Sequence, residues 1–137
     1  MLVLDTNVIS ELMSSEPTPA VIDFLDRAAD TIALNAISVA EIRYGLALLP
    51  NGQRKRRLAE AFDLLLGELG DNRILEFTNA ATHPYATICA RARHAGRPIA
   101  MADAMIAAIC HLNGATLVTR NTKDFADTRI TTVNPWT

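Results

Sequence analysis

The sequence has few aromatic residues, few cysteines and no excess of basic residues, and each shortage excludes something. Aromatics make up 5% of the 137 residues, and alanine supplies much of the apolar share, which favours packed helices over a β-sandwich. Cys89 and Cys110 lie in apolar helical patterns and form no CxxC pair, so we expect reduced core thiols in a cytoplasmic protein. A net charge of −2 gives no general attraction for nucleic acid, so such contact needs a local patch or a metal ion.

Long apolar runs and linkers are also missing. No stretch approaches 18 apolar residues, and the first residues lack the basic region and apolar core of a signal peptide. We therefore expect no membrane segment and a cytoplasmic location. No repeat, low-complexity tract or linker divides the chain, and half of its residues are hydrophobic. These features predict a single domain over residues 1–137.

The apolar pattern predicts strands that alternate with helices. Strands are expected at residues 1–4, 31–35, 73–77 and 116–119, with a short fifth at 130–133. Helices are expected at residues 8–13, 20–29, 38–49, 53–69, 79–95 and 102–112. This alternation is typical of an α/β domain in which helices flank a mostly parallel sheet of four or five strands. The helices before and after residues 50–52 should form a projecting hairpin suited to a subunit or partner surface.

Three polar residues, Asp5, Thr6 and Asn7, directly follow the first apolar strand. An acid at the carboxyl end of a buried strand lies where open α/β sheets bind their ligands. Asp5 could instead only cap the next helix, because aspartate is a favoured N-cap residue. The chain supplies two further acids in similar settings.

Glu41 lies near the start of the third predicted helix. Ser38 and Glu41 have the spacing of a capping box, in which the glutamate bonds back to the helix start. That structural role is one interpretation of Glu41. The other is functional, because the same position directs the carboxylate towards the strand end after Leu34 and Asn35.

Asp103 is the only charged residue between Ile99 and Cys110, on a helix apolar enough to be buried. An acid in the first turn is favoured by the helix dipole, so a capping role is one interpretation. A lone buried carboxylate is costly unless it is paired or coordinated, which favours a second interpretation. Asp103 would then need a cation or several donors.

Three carboxylates at one sheet edge repel each other unless a hard divalent cation lies between them. Mg²⁺ or Mn²⁺ suits a set of oxygen ligands. Water bound to such an ion is acidified towards hydroxide and can attack a phosphodiester. The sequence therefore predicts a metal site formed by Asp5, Glu41 and Asp103, with phosphodiester hydrolysis as its chemistry.

Four motifs together resemble those of the PIN-domain ribonucleases, and most closely the VapC/FitB-type toxins of bacterial type II toxin–antitoxin pairs. They are DTN at residues 5–7, SVAEI at 38–42, IAMADAMIAA at 99–108 and LVTRNTKDF at 117–125. The likeness spans nearly the whole chain, including the NPW ending at 134–136. It implies an Mg²⁺- or Mn²⁺-dependent endoribonuclease that forms a homodimer. It also implies inhibition by an antitoxin whose C-terminal segment occupies the active-site groove, with higher toxin–antitoxin assembly possible.

The resemblance also assigns roles to individual residues. Asp5, Glu41 and Asp103 match the family's three main metal-binding acids. Thr6 matches the small hydroxyl residue beside the first acid, where it could orient a carboxylate or a water. The fourth acidic position is Asn121, which is neutral, so a second metal there should bind more weakly.

Other polar residues near these motifs have weaker signals. Asn121 could still hydrogen-bond a metal-bound water, and Asp124 could compensate for the missing acid or be a solvated turn residue. Arg120, next to the predicted site, is a candidate for phosphate contact. The basic run at 54–57 is a weaker candidate. The three histidines lack metal-ligand spacing and are His83, His94 and His111.

Two other functions are compatible with the sequence. Because the fourth acid is missing, the chain could be a catalytically silent module that sequesters an antitoxin. Asp5 could alternatively accept a phosphoryl group, as in a phosphatase or receiver domain. That hypothesis is the weakest, because the second acid usual in haloacid-dehalogenase-like phosphatases is missing and no switch lysine is evident.

Overall fold

The structure is a computed structural model that describes residues 1–137, with every side chain except that of Asp30. Over these residues the chain forms five strands, which are Leu2–Leu4 (β1), Ile32–Asn35 (β2), Ile74–Leu75 (β3), Thr116–Val118 (β4) and Thr132–Val133 (β5). The six α-helices of the same described range are Thr6–Met13 (α1), Pro19–Asp26 (α2), Ala36–Leu48 (α3), Gln53–Leu69 (α4), Thr82–His94 (α5) and Met101–Asn113 (α6). Short 3₁₀ segments include Thr122–Thr128, between β4 and β5.

The strands form one parallel sheet in the order β3-β2-β1-β4-β5. β1 is central, and Val3 lies opposite Ala33 on one side and Leu117 on the other. The predicted α/β class and parallel sheet are confirmed. Because parallel strands end at the same edge, the residues after β1 and β4 are neighbours.

Side chains alternate between the two faces of the sheet, and each face has its own core. Val3, Ala33 and Leu117 pack against α5 and α6. The next residues along β1 and β4, Leu4 and Val118, pack on the other face against α1, α2 and α4. The two cores pack against opposite faces of the central strand, so the residues at its carboxyl end follow a tightly packed element.

The two cysteines are free, as expected, and belong to the α5–α6 side of the core. Cys110 is completely buried, whereas Cys89 is half-buried. Burial, assisted by the negative charge of Asp5, raises the pKa of the Cys110 thiol to about 12. Cys110 is therefore an unreactive core residue at neutral pH.

Helix α3 begins two residues earlier than predicted, and the capping-box interpretation of Ser38 and Glu41 is wrong. Asn35 is the N-cap, and its Oδ1 accepts a hydrogen bond from the Ser38 backbone N–H at 2.8 Å. Its Nδ2 donates to Ser38 Oγ at 3.0 Å and to the Leu4 carbonyl at 3.1 Å. Ser38 is thus the third helical residue, and Glu41 lies in the second turn, without a capping role.

The predicted hairpin of α3 and α4 is present, and α4 has the predicted bounds. Lys55 Nζ donates to the Leu49 carbonyl at 3.3 Å, which ties the start of α4 to the connection. Tyr44 and Leu48 are exposed on one face of α3, and Leu64 is exposed on α4. None of the described helices has the length and apolar character needed to cross a membrane.

Candidate active site

Asp5 follows β1 directly and is held by three donors. Its Oδ1 accepts from the Thr6 backbone N–H at 2.8 Å, and its Oδ2 accepts from Thr119 Oγ1 at 2.8 Å and Asn7 Nδ2 at 3.3 Å. Asp5 is 5% exposed and is the N-cap of α1, so the capping interpretation is correct. Capping uses Oδ1 for one bond only, which leaves that oxygen able to accept a further contact.

Thr119 follows β4 and connects the two neighbouring strand ends. It is completely buried, and its Oγ1 gives its only proton to Asp5 while accepting from the Asn121 backbone N–H at 3.0 Å. Asn7 Oδ1 accepts from the Arg120 backbone N–H at 3.1 Å. No role was predicted for Thr119 or for the Asn7 side chain. The available signal was that both are polar residues just past adjacent buried strands.

Thr6 joins Asp5 to Glu41. Its backbone N–H donates to Asp5 Oδ1, and its Oγ1 donates to Glu41 Oε1 at 2.7 Å. Glu41 is exposed in the second turn of α3, so it reaches this edge from a different element. One threonine therefore bridges carboxylates that are 36 residues apart in the chain.

Asp103 is the third residue of α6 and is half-buried. Burial is the main cause that raises its pKa to about 6, followed by the negative charges of Asp5, Asp124 and Glu41. Asp103 lies in the first turn of α6, where the helix dipole favours an acid, as predicted. No described residue donates a hydrogen bond to its carboxylate, and the N-cap is Ala100, so Asp103 does not cap the helix through its side chain. The carboxylates of the three neighbouring acids are thus close enough to Asp103 for their charges to affect its protonation.

Two cavities adjoin these acids. One, of about 330 Å³, is lined by Asp103, Lys123 and Asp124, with the Arg97–Asp127 pair also in its wall. In that pair two Arg97 nitrogens donate to the Asp127 carboxylate at 2.8 and 2.9 Å. The other cavity, of about 450 Å³, contacts Thr6 and Glu41 and continues along α1, α3 and α4. The acids therefore lie between two concave surfaces.

Asp5, Glu41 and Asp103 have the ligand type that a hard divalent cation prefers, but not the spacing of a complete site. The candidate ligands are all carboxylate oxygens, which suit a hard cation, and burial followed by the charges of neighbouring acids raises the pKa of Asp103. Among the described side chains, however, no three of the types His, Cys, Asp or Glu are close enough together to hold one ion. The donor chemistry fits Mg²⁺ or Mn²⁺, and the three-ligand site of Asp5, Glu41 and Asp103 stays a prediction.

Asn121 and Arg120 lie at the same edge, both exposed. Arg120 extends across the ring of Trp136, with its guanidinium carbon 4.7 Å from the ring centroid. Hydrogen bonds from Thr18 lower the pKa of Glu11, and the positive charge of Arg120 contributes to that lowering. The predicted contact of Arg120 with phosphate stays a prediction.

Comparison with known proteins adds a relationship over the full chain. A family model described as PIN domain matches residues 2–130. The chain is 43% identical to plasmid stability protein StbB of Pseudomonas syringae and 40% identical to VapC ribonuclease Y4jK of Sinorhizobium fredii, covering at least 98% of each chain in both cases. It is 39% identical to toxin FitB of Neisseria gonorrhoeae, with 99% of both chains covered. The crystal structure of FitAcB from the same organism matches with a TM-score of 0.90, covering 99% of each chain.

Proposed function

Since the chain belongs to the PIN domain family, we propose that it is an Mg²⁺- or Mn²⁺-dependent endoribonuclease that acts as the toxin of a type II toxin–antitoxin pair. Its substrate is RNA, and its reaction is hydrolysis of a phosphodiester bond in the cytoplasm. Full-length similarity to proteins named VapC ribonuclease and toxin FitB supports this proposal.

The observation that carries the proposal is the bridge formed by Thr6. Its two hydrogen bonds hold Asp5 and Glu41 side by side at the carboxyl edge of the sheet. Neither acid forms an ion pair with a described lysine or arginine, so their charges are available to a ligand. A pair of carboxylates without a cationic partner at a concave edge is an arrangement that a hydrolytic metal site can use.

The acids have distinct tasks in this proposal. Asp5, Glu41 and Asp103 would hold the cation, which when bound supplies an acidified water and offsets charge at the phosphate. Asp5 is immobilised by its three donors, so it keeps its orientation when substrate binds. Thr6 fixes Glu41 Oε1, and the exposed Asn121 can orient water through its side-chain amide.

The proposal is tested by cleavage of RNA by wild-type protein and Asp5→Asn. We expect wild type to cut RNA only with Mg²⁺ or Mn²⁺, and Asp5→Asn to lose at least about a hundredfold in rate. Asp23→Asn, which removes the same charge from an exposed position on α2, is the control and should cut normally. Equal cleavage by all three proteins, free of contaminating nuclease, would refute the proposal.

A second function, a catalytically silent module that sequesters an antitoxin, is favoured by one observation. Asn121 is neutral, and no three candidate ligands among the described residues are close enough to share an ion. Calorimetric titration with Mn²⁺ distinguishes the two functions. Binding at millimolar Mn²⁺ supports the nuclease, whereas absence of binding supports the silent module.

We also propose two protein partners. A cognate antitoxin would place its C-terminal segment in the 450 Å³ groove, which contacts Glu41 and has apolar walls with Arg54 and Arg57 beside them. A second copy would cover Tyr44 and Leu48, which are exposed on α3. Light scattering of the chain alone and with the antitoxin measures both associations and any larger assembly. A chain that stays monomeric would contradict the homodimer.

A further inference from the structure

A second polar cavity, which none of the three acids lines, runs along α5 from His83 to Arg91. It has a volume of about 350 Å³, and its walls include His83, Arg91, His111, Thr128 and Arg129. We propose that this cavity binds a phosphate group of the RNA strand other than the one at the bond that is cut. The proposal rests on the nuclease function above and adds a site for substrate to it.

The charge of the cavity is the first argument. Its walls bring together two guanidinium groups and two imidazoles, and no carboxylate is among the described residues that line it. Arginine binds phosphate oxygens through paired N–H donors, and imidazole supplies an N–H donor in either protonation state. The chain as a whole has a net charge of −2, so this cavity is a local cluster of anion donors on a weakly acidic protein.

The neighbouring acid does not cancel this charge. Arg91 Nη1 donates to the backbone carbonyl of Asp127 at 3.5 Å, a long contact that leaves most of its donors available. The carboxylate of Asp127 is already bound by Arg97 through two hydrogen bonds. Asp127 therefore helps to position Arg91 without forming an ion pair with it.

The backbone supplies a second argument. Arg129 has a φ of +63°, and among the described residues it is the only non-glycine with a positive φ. This left-handed conformation favours glycine or asparagine, yet here it carries an arginine that lines the cavity. His83 and Arg91 are eight residues apart on α5, about 12 Å along the helix axis, so they line the same cavity at its two ends.

The position of the cavity indicates which phosphate it would bind. Thr128 lines both this cavity and the 330 Å³ cavity that contains Asp103 and Lys123. The two cavities therefore share a wall at Thr128, and we infer that a strand leaving the acids can extend to the basic one. A short RNA that covers only the acids cannot reach it, whereas a longer RNA can.

The test compares the affinities of long and short RNA. Fluorescein-labelled RNAs of about 4 and 16 nucleotides are titrated without divalent ion, so that nothing is cut. We expect Arg91→Gln/Arg129→Gln to lose about tenfold in affinity for the long RNA and little for the short one. The slope of log affinity against log salt should fall by about 0.7, the value for one phosphate contact. Arg91→Gln alone should also lose affinity for the long RNA. This single variant keeps Arg129 unchanged, so it still tests the proposal if a change at Arg129 disturbs folding.

The control is Arg27→Gln/Arg93→Gln, which removes the same charge from exposed positions at the end of α2 and on α5 that line none of the cavities described above. This variant should bind both RNAs within about twofold of wild type. Equal losses in the two double variants would overturn the proposal, because they would reflect net charge alone.

A second measurement separates the source of the phosphate. The ring C–H resonances of His83 and His111 are followed by NMR during titration with inorganic phosphate, with His94, outside the cavity, as internal reference. The resonances of both histidines could shift to a plateau as phosphate is added, while wild type binds long RNA no more tightly than short RNA. That result would show a site for a small anion and overturn the RNA assignment. If wild type cuts no RNA but the Arg91 variants still lose affinity for long RNA, the nuclease proposal fails and the phosphate site stands.

Discussion

Asp5 and Asp103 are carboxylates at the same edge of the sheet, but their surroundings differ. Asp5 accepts three hydrogen bonds and forms the cap of α1. Asp103 accepts none from the described residues, and burial together with three neighbouring acids raises its pKa to about 6. The comparison shows that the fold stabilises the charge on Asp5 by itself, whereas the charge on Asp103 lacks compensation.

This difference has a consequence for ligand binding. Hydrogen bonds already offset the negative charge of Asp5, so a cation adds less stabilisation there than at an acid without donors. A site with one uncompensated acid gains more, since a cation relieves the repulsion. Asp5 is therefore the acid whose position is fixed by hydrogen bonds. Asp103 is the acid whose charge a bound cation would stabilise most.

The largest expected effect is that of a divalent ion on stability. At an Mn²⁺ concentration of about 100 times Kd, the free energy of unfolding should rise by about 2.7 kcal/mol, because the ion binds only the folded protein. Urea titration at pH 7.5 with and without Mn²⁺ measures the change. Asp103→Asn should show a much smaller rise. An equal rise in both proteins would mean that the ion binds elsewhere.

The next effect concerns the hydroxyl that holds Asp5. Thr119→Val keeps the shape of the side chain but removes the donor to Asp5 Oδ2 and the acceptor for the Asn121 N–H. We expect a loss of about 2 kcal/mol in stability, since buried polar groups are left without a partner. Thr119→Ser keeps the hydroxyl and should lose about half as much or less. Equal losses, measured by urea titration, would show that the hydroxyl is unimportant.

A smaller effect tests the cost of the buried charge on Asp103. Its pKa is raised from 3.8 to about 6, so the folded protein binds this proton more tightly than the unfolded chain. The associated stability is present below pH 4 and is lost as pH rises through 6. Without divalent ion, Asp103→Asn should therefore be more stable than wild type at pH 7.5, by about 1 kcal/mol after allowing for solvent screening of a half-buried group.

The control for this prediction is pH itself. At pH 4.5 Asp103 is protonated in most wild-type molecules, so the greater stability of Asp103→Asn should largely disappear. Urea titrations of both proteins at the two pH values measure it. A variant that is less stable than wild type at pH 7.5 would contradict the view that the charge of Asp103 is uncompensated.

The smallest effect concerns Arg120, which lies over Trp136. Arg120→Gln should cost about 0.5 kcal/mol through the lost cation–π contact, and it should also weaken RNA binding if Arg120 contacts phosphate. Arg43→Gln is the matched control, since Arg43 lies over Phe62 at 5.4 Å from the ring centroid. It should lose similar stability without changing RNA affinity. Equal RNA affinities for the two variants would exclude the phosphate contact.

Much of the fold was predictable because its signals are local. The apolar run before Asp5 indicated a buried strand, and the pattern of residues 53–69 indicated the bounds of α4. The start of α3 was predicted wrongly because Ser38 and Glu41 have the spacing of a capping box. The actual cap is Asn35, whose side chain also bonds to the Leu4 carbonyl of the neighbouring strand. A contact between strands overrode a local motif.

The sequence by itself determined the types of residue at the strand ends, the alternation of strands and helices, and hence a parallel sheet with one polar edge. Only the tertiary structure decided which strand ends are neighbours. Thr119 donates to Asp5, which is 114 residues earlier, because β4 pairs with β1. The physical reason is that apolar periodicity specifies which residues are buried, whereas strand order depends on how the helices pack over both faces. The same packing decides that Asp5 has donors and Asp103 has none among the described residues.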